Sequence, residues 1–182
     1  MKQVLVRKFG HLAASAAFFA FPYFFSPKTM IGLCGLFAIL LLLGHLIGLS
    51  RHHRVDRITL GEFYFPLGVA LSAFFFLPQN LLAFQFGILI LGVSDTAAEL
   101  TGRLWGRHQI KSVHKTWEGV LAFFLVSLLI FLLFVWPQHP GTILAGLSIT
   151  LLLTLLEGLL SFGLDNLFLP IIAAVLLNWL IK

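Results

Sequence analysis

The chain has 182 residues, of which 59% are hydrophobic and 10% charged, and a mean hydropathy of +1.01, which excludes an ordinary soluble globular domain and points to an integral membrane protein. Its formal charge of +5 is distributed among segments that flank apolar runs, as membrane-orientation signals are, so no nucleic-acid partner is expected. A single cysteine, Cys34, cannot build a disulfide framework or a cysteine-ligated zinc or iron–sulfur centre within the chain.

A membrane-spanning helix needs about 20 apolar residues, fewer where interfacial groups flank it. Seven stretches qualify: 9–25, 30–49, 62–77, 80–100, 118–136, 141–158 and 167–181. The first follows a basic start and resembles a signal peptide. Pro22 and bulky aromatics occupy the place of a cleavage site, however, and further spans follow, so it is expected to be a retained helix. The breaks "SPKT", "RHHRVDRITLG", "LPQN", "WPQHPG" and "SFGLD" carry the Pro, Gly, Asn and Ser of turns. The expected fold is all-α, a polytopic transmembrane bundle of about seven spans that forms one integral membrane domain over residues 1–182.

Alternating loops assign the charges to sides. Lys2, Arg7, Lys8, Arg51, Arg54, Arg57, Arg103, Arg107, Lys111 and Lys115 fall on one side, leaving Lys28 and Lys182 on the other, so the amino terminus is expected to be cytoplasmic. Tyr23, Trp136 and Trp179 fall at the opposite helix ends, as interfacial aromatics do. All seven acids, Asp56, Glu62, Asp95, Glu99, Glu118, Glu157 and Asp165, also gather at the basic face. Orientation alone does not require that.

The densest charge lies in "GVSDTAAELTGRLWGRHQIKSVHKTWEGV", residues 92–120. If the fourth helix runs to about Gly106, then Gly92, Asp95, Glu99, Gly102 and Gly106 recur at intervals of three and four along one face. From Leu81 to Ser94 such a helix rises only about 20 Å, against a hydrocarbon core of about 30 Å, so Asp95 is expected near inner headgroup depth. Ionisable groups there are costly unless paired, hydrated or bound to a cation. Two carboxylates one turn apart suit Mg²⁺, which keeps several waters and takes phosphate oxygens. Gly102 and Gly106 permit close backbone approach, and Arg103, Arg107, Lys111 and Lys115 are placed to neutralise a polyphosphate. The plainer alternative is surface pairing of Asp95 and Glu99 with Arg103 and its neighbours, with glycines that only pack helices. "GRHQIKS" is not a Walker loop, no HExxH is present, and the histidines of "RHHR" and His45 are read as interfacial and packing residues.

"SDTAAELTGRLWG" followed by "KTWEG", with "RKFGH" at the start and "GLDNLFLP" near the end, resembles the polyprenol kinase family, which includes dolichol and phytol kinases. "KTWEG" is also similar to part of the signature of phosphatidate cytidylyltransferases, distant relatives of those kinases. The resemblance implies a multi-pass membrane enzyme that uses CTP to phosphorylate an isoprenoid alcohol, with its active site on the cytoplasmic face of a prokaryotic inner membrane or of the endoplasmic reticulum or plastid. Asp95 then corresponds to the metal-binding or catalytic acid, with Glu99 beside it. Lys115, Thr116, Glu118 and Gly119 correspond to the nucleotide-contacting segment, joined by Gly102, Arg103 and Gly106. His11 and Arg7, in the "RKxxH" pattern, correspond to contacts with the lipid hydroxyl or phosphate. Asp165 and Asn166 stand either as a helix cap or in a metal or nucleotide role, and Glu157 extends the acidic group. "KTWEG" equally fits a helix start, with Glu118 at the positive end of the dipole. "SVHKTWEG" departs from the Ser-Pro-Lys-Lys run of cytidylyltransferases, which favours the kinase branch. Cytidylyl transfer to a lipid phosphate such as phosphatidate remains the rival, and a small transporter a more distant one.

Overall fold

The computed structural model describes residues 2–47, 61–110 and 115–182. The expectations for Arg51, Arg54, Asp56, Arg57, the "RHHR" histidines and Lys111 lie outside the described residues, as does the side chain of His45.

The described chain forms seven helical rods. They are α1 (Lys2–Ala20), α2 (Pro27–Leu46), α3 (Gly61–Phe76), α4 (Leu81–Leu89) continued into α5 (Asp95–Trp105), α6 (Trp117–Ile130), α7 (Ile143–Leu159) and α8 (Leu164–Leu180). A π turn, Ile90–Ser94, joins α4 to α5, and a second, Phe131–Val135, extends α6. A two-stranded hairpin, β1 (Gln109–Ile110) with β2 (Lys115–Thr116), precedes α6. Pro27–Gly44, Leu81–Trp105, Trp117–Val135 and Pro140–Leu159 are long and apolar enough to cross a membrane by length and composition, and α3 and α8 are shorter apolar helices. The protein is thus an all-α membrane protein, as its composition demands.

The α4–α5 rod is the axis of the molecule, with 72% of its apolar window buried against 11% for α2. It is hydrophobic all round along α4, as a helix enclosed by others must be. Phe84, Ile88 and Leu91 enter one core with Phe18, Met30, Cys34, Phe65 and Val69. Phe86 and Ile90 enter a second with Phe123, Phe131, Leu153, Leu169 and Leu177. Burial against lipid-like neighbours gains little from water exclusion, so close packing carries the association. The carbonyls of α8 press on both neighbours: a Cβ at Gly68 would stand 2.4 Å from the Asn166 oxygen, and one at Gly87 2.3 Å from that of Pro170.

Two of the boundaries that differ from the sequence expectation bear on the charged end of the bundle. Helix α1 begins at Lys2 and gives way at Pro22 to a 3-10 turn, Phe21–Tyr23, so Arg7 and Lys8 belong to the helix and not to a loop before it. Helix α8 begins at Leu164, after Phe162 and Gly163 adopt positive φ of 58° and 84°. Gly163 holds the cap position without a side-chain bond, and Asp165 lies inside the first turn, so the capping reading of Asp165 is corrected.

Candidate active site

One end of the bundle collects the amino-terminal half of α1, the whole of α5, the hairpin, the start of α6, the end of α7 and the start of α8. Antiparallel packing of α1 on the central rod puts them there. At the far end Gln85 of α4 donates to the Phe19 carbonyl and the Tyr23 hydroxyl, both 3.1 Å away. At the near end α1 meets α5. Its polar groups recur every fourth residue, as Arg7, His11 and Ser15, so they share the face that looks at the rod.

Lys8 occupies the centre of the first half of the site. Its Nζ lies 2.7 Å from Asp95 Oδ2 and 2.8 Å from Glu99 Oε2, with the Lys8 side chain 7% and that of Asp95 9% exposed. Arg7 Nη2 is 2.5 Å from Glu99 Oε1, and Arg103, one turn further along α5, reaches the same oxygen at 2.8 Å. Buried charges of this kind persist only as partners. His11 sits above them, its Nε2 3.2 Å from the Leu91 carbonyl in the π turn and its ring edge-on to Phe65. A π turn opens the helical ladder, and such turns recur at functional sites.

The second half centres on Lys115. Its Nζ donates to the Glu157 carbonyl and to Glu157 Oε1 at 2.7 Å, and lies 3.6 Å from Asp165 Oδ2. Glu157 Oε2 is buried and has no hydrogen-bond partner among the described residues. The two halves adjoin through α5 and the start of α6: α5 carries Asp95, and its Gly102 packs on Thr116, the residue that follows Lys115.

Local structure explains how Lys115 is aimed. Thr116 caps α6, its Oγ1 accepting from Gly119 N–H at 3.2 Å. Glu118 Oε1 accepts from the N–H groups of Arg107 and His108 at 3.1 and 3.2 Å and meets His108 Nδ1 at 2.7 Å, which pins the hairpin. A Cβ at Gly102 would fall 2.8 Å from Thr116 Oγ1, and one at Gly119 2.8 Å from the Ala98 oxygen, so these glycines bring α5 and α6 together. The stripe legible in the sequence is therefore divided: Asp95 and Glu99 face α1, while Gly102 and Gly106 face Thr116. Asn166 Nδ2 donates to the Gly61 carbonyl at 2.9 Å and ties α8 to α3, while its N–H donates to Asp165 Oδ1.

The structure thus brings Arg7, Asp95, Glu99 and Arg103 together around Lys8 with His11 above them, and sets Lys115 with Asp165 in a second group at the same end of the bundle. It gives Gly102, Gly106, Thr116, Glu118, Gly119 and Asn166 packing and capping contacts beside these groups. Two members were passed over or left secondary: Lys8, read only as an orientation charge, and Glu157. The spacing of Lys8 and His11, three residues apart on one helix, was the available signal for the first. For the second it was a lone acid within "TLLLTLLEGLL". Among the described residues no three His, Cys, Asp or Glu side chains converge as a metal site, and Asp95 with Glu99 supply two carboxylates.

A membrane helix bundle with an acidic and basic cluster across one end, assembled from "SDTAAELTG" and "KTWEG", defines a class, and the sequence profile agrees. Residues 2–162 match the cytidylyltransferase family, and the chain belongs to it. The phytol kinase of Synechocystis sp. is 29% identical, over 96% of this chain and 78% of its own length. An uncharacterized protein of Methanocaldococcus jannaschii is 32% identical over 83% of this chain and 76% of its own. The dolichol kinase sec59 of Schizosaccharomyces pombe is 38% identical over 50% of this chain and 18% of the kinase. The resemblance to polyprenol kinases related to cytidylyltransferases is borne out by these matches. No solved structure matches the chain.

Proposed function

We propose that the protein is a membrane-embedded kinase that transfers the terminal phosphoryl group of a nucleoside triphosphate, CTP, to an isoprenoid alcohol such as a polyprenol, dolichol or phytol. The observation that carries this reading is the pairing of two buried carboxylate–ammonium groups, around Lys8 and around Lys115, at one end of an apolar bundle. The relatives named phytol kinase and dolichol kinase support the acceptor class. In this reading the helices cross the membrane several times with the amino terminus and the cluster on the cytoplasmic side, where the nucleotide is dissolved.

The residues fit a hard divalent cation such as Mg²⁺, because Asp95 and Glu99 already turn their oxygens onto one cationic centre, the Lys8 Nζ. Asp95 and Glu99 would hold such an ion, which would supply positive charge against the donor phosphates. Lys115 and Arg103 offset the charge that develops on the transferring group. The lipid oxygen bonds to the terminal phosphorus as the bond to the leaving diphosphate breaks, and the hydroxyl proton passes to Asp95 or Asp165. Arg7 and His11 orient the hydroxyl end of the lipid. Thr116, Gly119 and Asn166, with Gly102, Gly106 and Glu118, hold the segments that receive the nucleotide.

A second reading, cytidylyl transfer to a lipid phosphate such as phosphatidate, is favoured by the family profile itself. The leaving group separates the two. Purified protein is incubated with a panel of lipid alcohols, with phosphatidate, and with each of the four nucleoside triphosphates labelled at the α or the γ position. The kinase reading expects γ-label in the lipid phase and release of a nucleoside diphosphate, with CTP the best donor. Lipid that acquires only α-label, with pyrophosphate released, would replace it with the second reading.

A further inference from the structure

The Lys8 ammonium stands where a bridging cation would stand. It contacts one oxygen of each carboxylate, 2.7 Å from Asp95 and 2.8 Å from Glu99, and its side chain is 7% exposed. Arg7 and Arg103 both approach the other oxygen of Glu99, so they complete the charge balance from outside without entering the space between the two acids. Among the described residues Lys8 alone bridges the pair.

We propose that Lys8 is a placeholder cation: it holds Asp95 and Glu99 in register for a divalent ion and keeps free divalent ions out until a nucleotide arrives. The proposal rests on the reading of those two acids as the metal pair. A divalent ion needs the oxygens that Lys8 holds, so its entry drives a buried ammonium off its partners. Unpaired, that ammonium is costly in the apolar contact between α1 and the central rod. The nucleotide's phosphates provide the anion that receives it. Metal alone therefore binds weakly, and metal with nucleotide binds well, a coupling that acts equally on both ligands.

The test is Mn²⁺ binding to the full chain in detergent, with neither nucleotide nor lipid present, read from the paramagnetic resonance signal of the free ion. Lys8→Gln is expected to bind Mn²⁺ about tenfold or more tightly than the wild type, within the usual range of such couplings, whereas Lys8→Arg keeps the wild-type affinity. Should Lys8→Gln not fold, a charge-balanced comparison replaces it: Lys8→Gln with Glu99→Gln is expected to bind Mn²⁺ more tightly than Glu99→Gln alone. Equal or weaker binding by the lysine-free variant in whichever comparison folds overturns the proposal. Phosphoryl transfer by the wild type is assayed in parallel. Activity with unchanged Mn²⁺ binding sinks the placeholder alone, and tighter binding without any transfer sinks the functional reading alone.

Discussion

Asp95→Asn is expected to lower phosphoryl transfer by about a thousandfold or more, the scale on which lost proton transfer and lost charge stabilisation register together. The fold should survive it. Asn keeps the shape of Asp, and Lys8 retains Glu99 as a partner at 2.8 Å, with the arginines still on the other oxygen of Glu99. The buried ammonium is therefore not stranded, and the thermal midpoint in detergent should change far less than turnover. Near-normal turnover in the purified, folded variant would remove Asp95 from the chemistry and leave it a packing partner of Lys8.

Lys115→Met is expected to act on stability and activity together, and a second substitution separates the two. Lys115 is the charged partner of Glu157 Oε1, whose side chain is 5% exposed, and it also donates to that residue's carbonyl. Its removal strands a buried carboxylate, which typically costs about 3–5 kcal/mol. Replacing the carboxylate as well, in Lys115→Met with Glu157→Gln, removes the uncompensated charge and should restore most of the thermal midpoint. Turnover should stay lost, because nothing at position 115 then meets the donor phosphates. If the double variant recovers turnover along with stability, Lys115 is a structural counter-ion only.

The helices were legible because a spanning segment must satisfy its own backbone and present apolar side chains, which leaves long hydrophobic runs broken by turn residues. The rod through Leu81–Trp105 could be followed past its apolar part because Gly92, Asp95, Glu99 and Gly102 keep helical spacing. The start of α1 was not legible. Basic residues before an apolar run read as a loop, and they are helical here because Lys8 finds Asp95 across 87 positions of sequence. The start of α8 was misread for a local reason. The left-handed pair Phe162 and Gly163 moves the boundary ahead of Asp165, which frees its carboxylate to approach Lys115.

Within the site, residue types that attract cations or phosphate were visible, but their partners were not. Asp95, Glu99 and Lys115 stand out as charges beside hydrocarbon, whereas the choice of Lys8 over Arg7 as the bridging cation depends on which way α1 is turned. Glu157 reads as a lone acid at a helix end until Lys115 is brought to it by the hairpin. The π turn at Ile90–Ser94, which presents the Leu91 carbonyl to His11, has no sequence signature in "ILGVS". Conversely, the glycines at 102 and 106 were readable as places of close approach, and what approaches them is Thr116.

The most direct test of the whole account is a density map of the protein with Mn²⁺, a non-hydrolysable CTP analogue and a lipid alcohol. Triphosphate density is expected between Lys115 and Arg103, with an Mn²⁺ peak on Asp95 and Glu99 and the lipid hydroxyl beside Asp165 or Asp95. A triphosphate bound away from that cluster, with Lys8 still bridging the two acids, would contradict it.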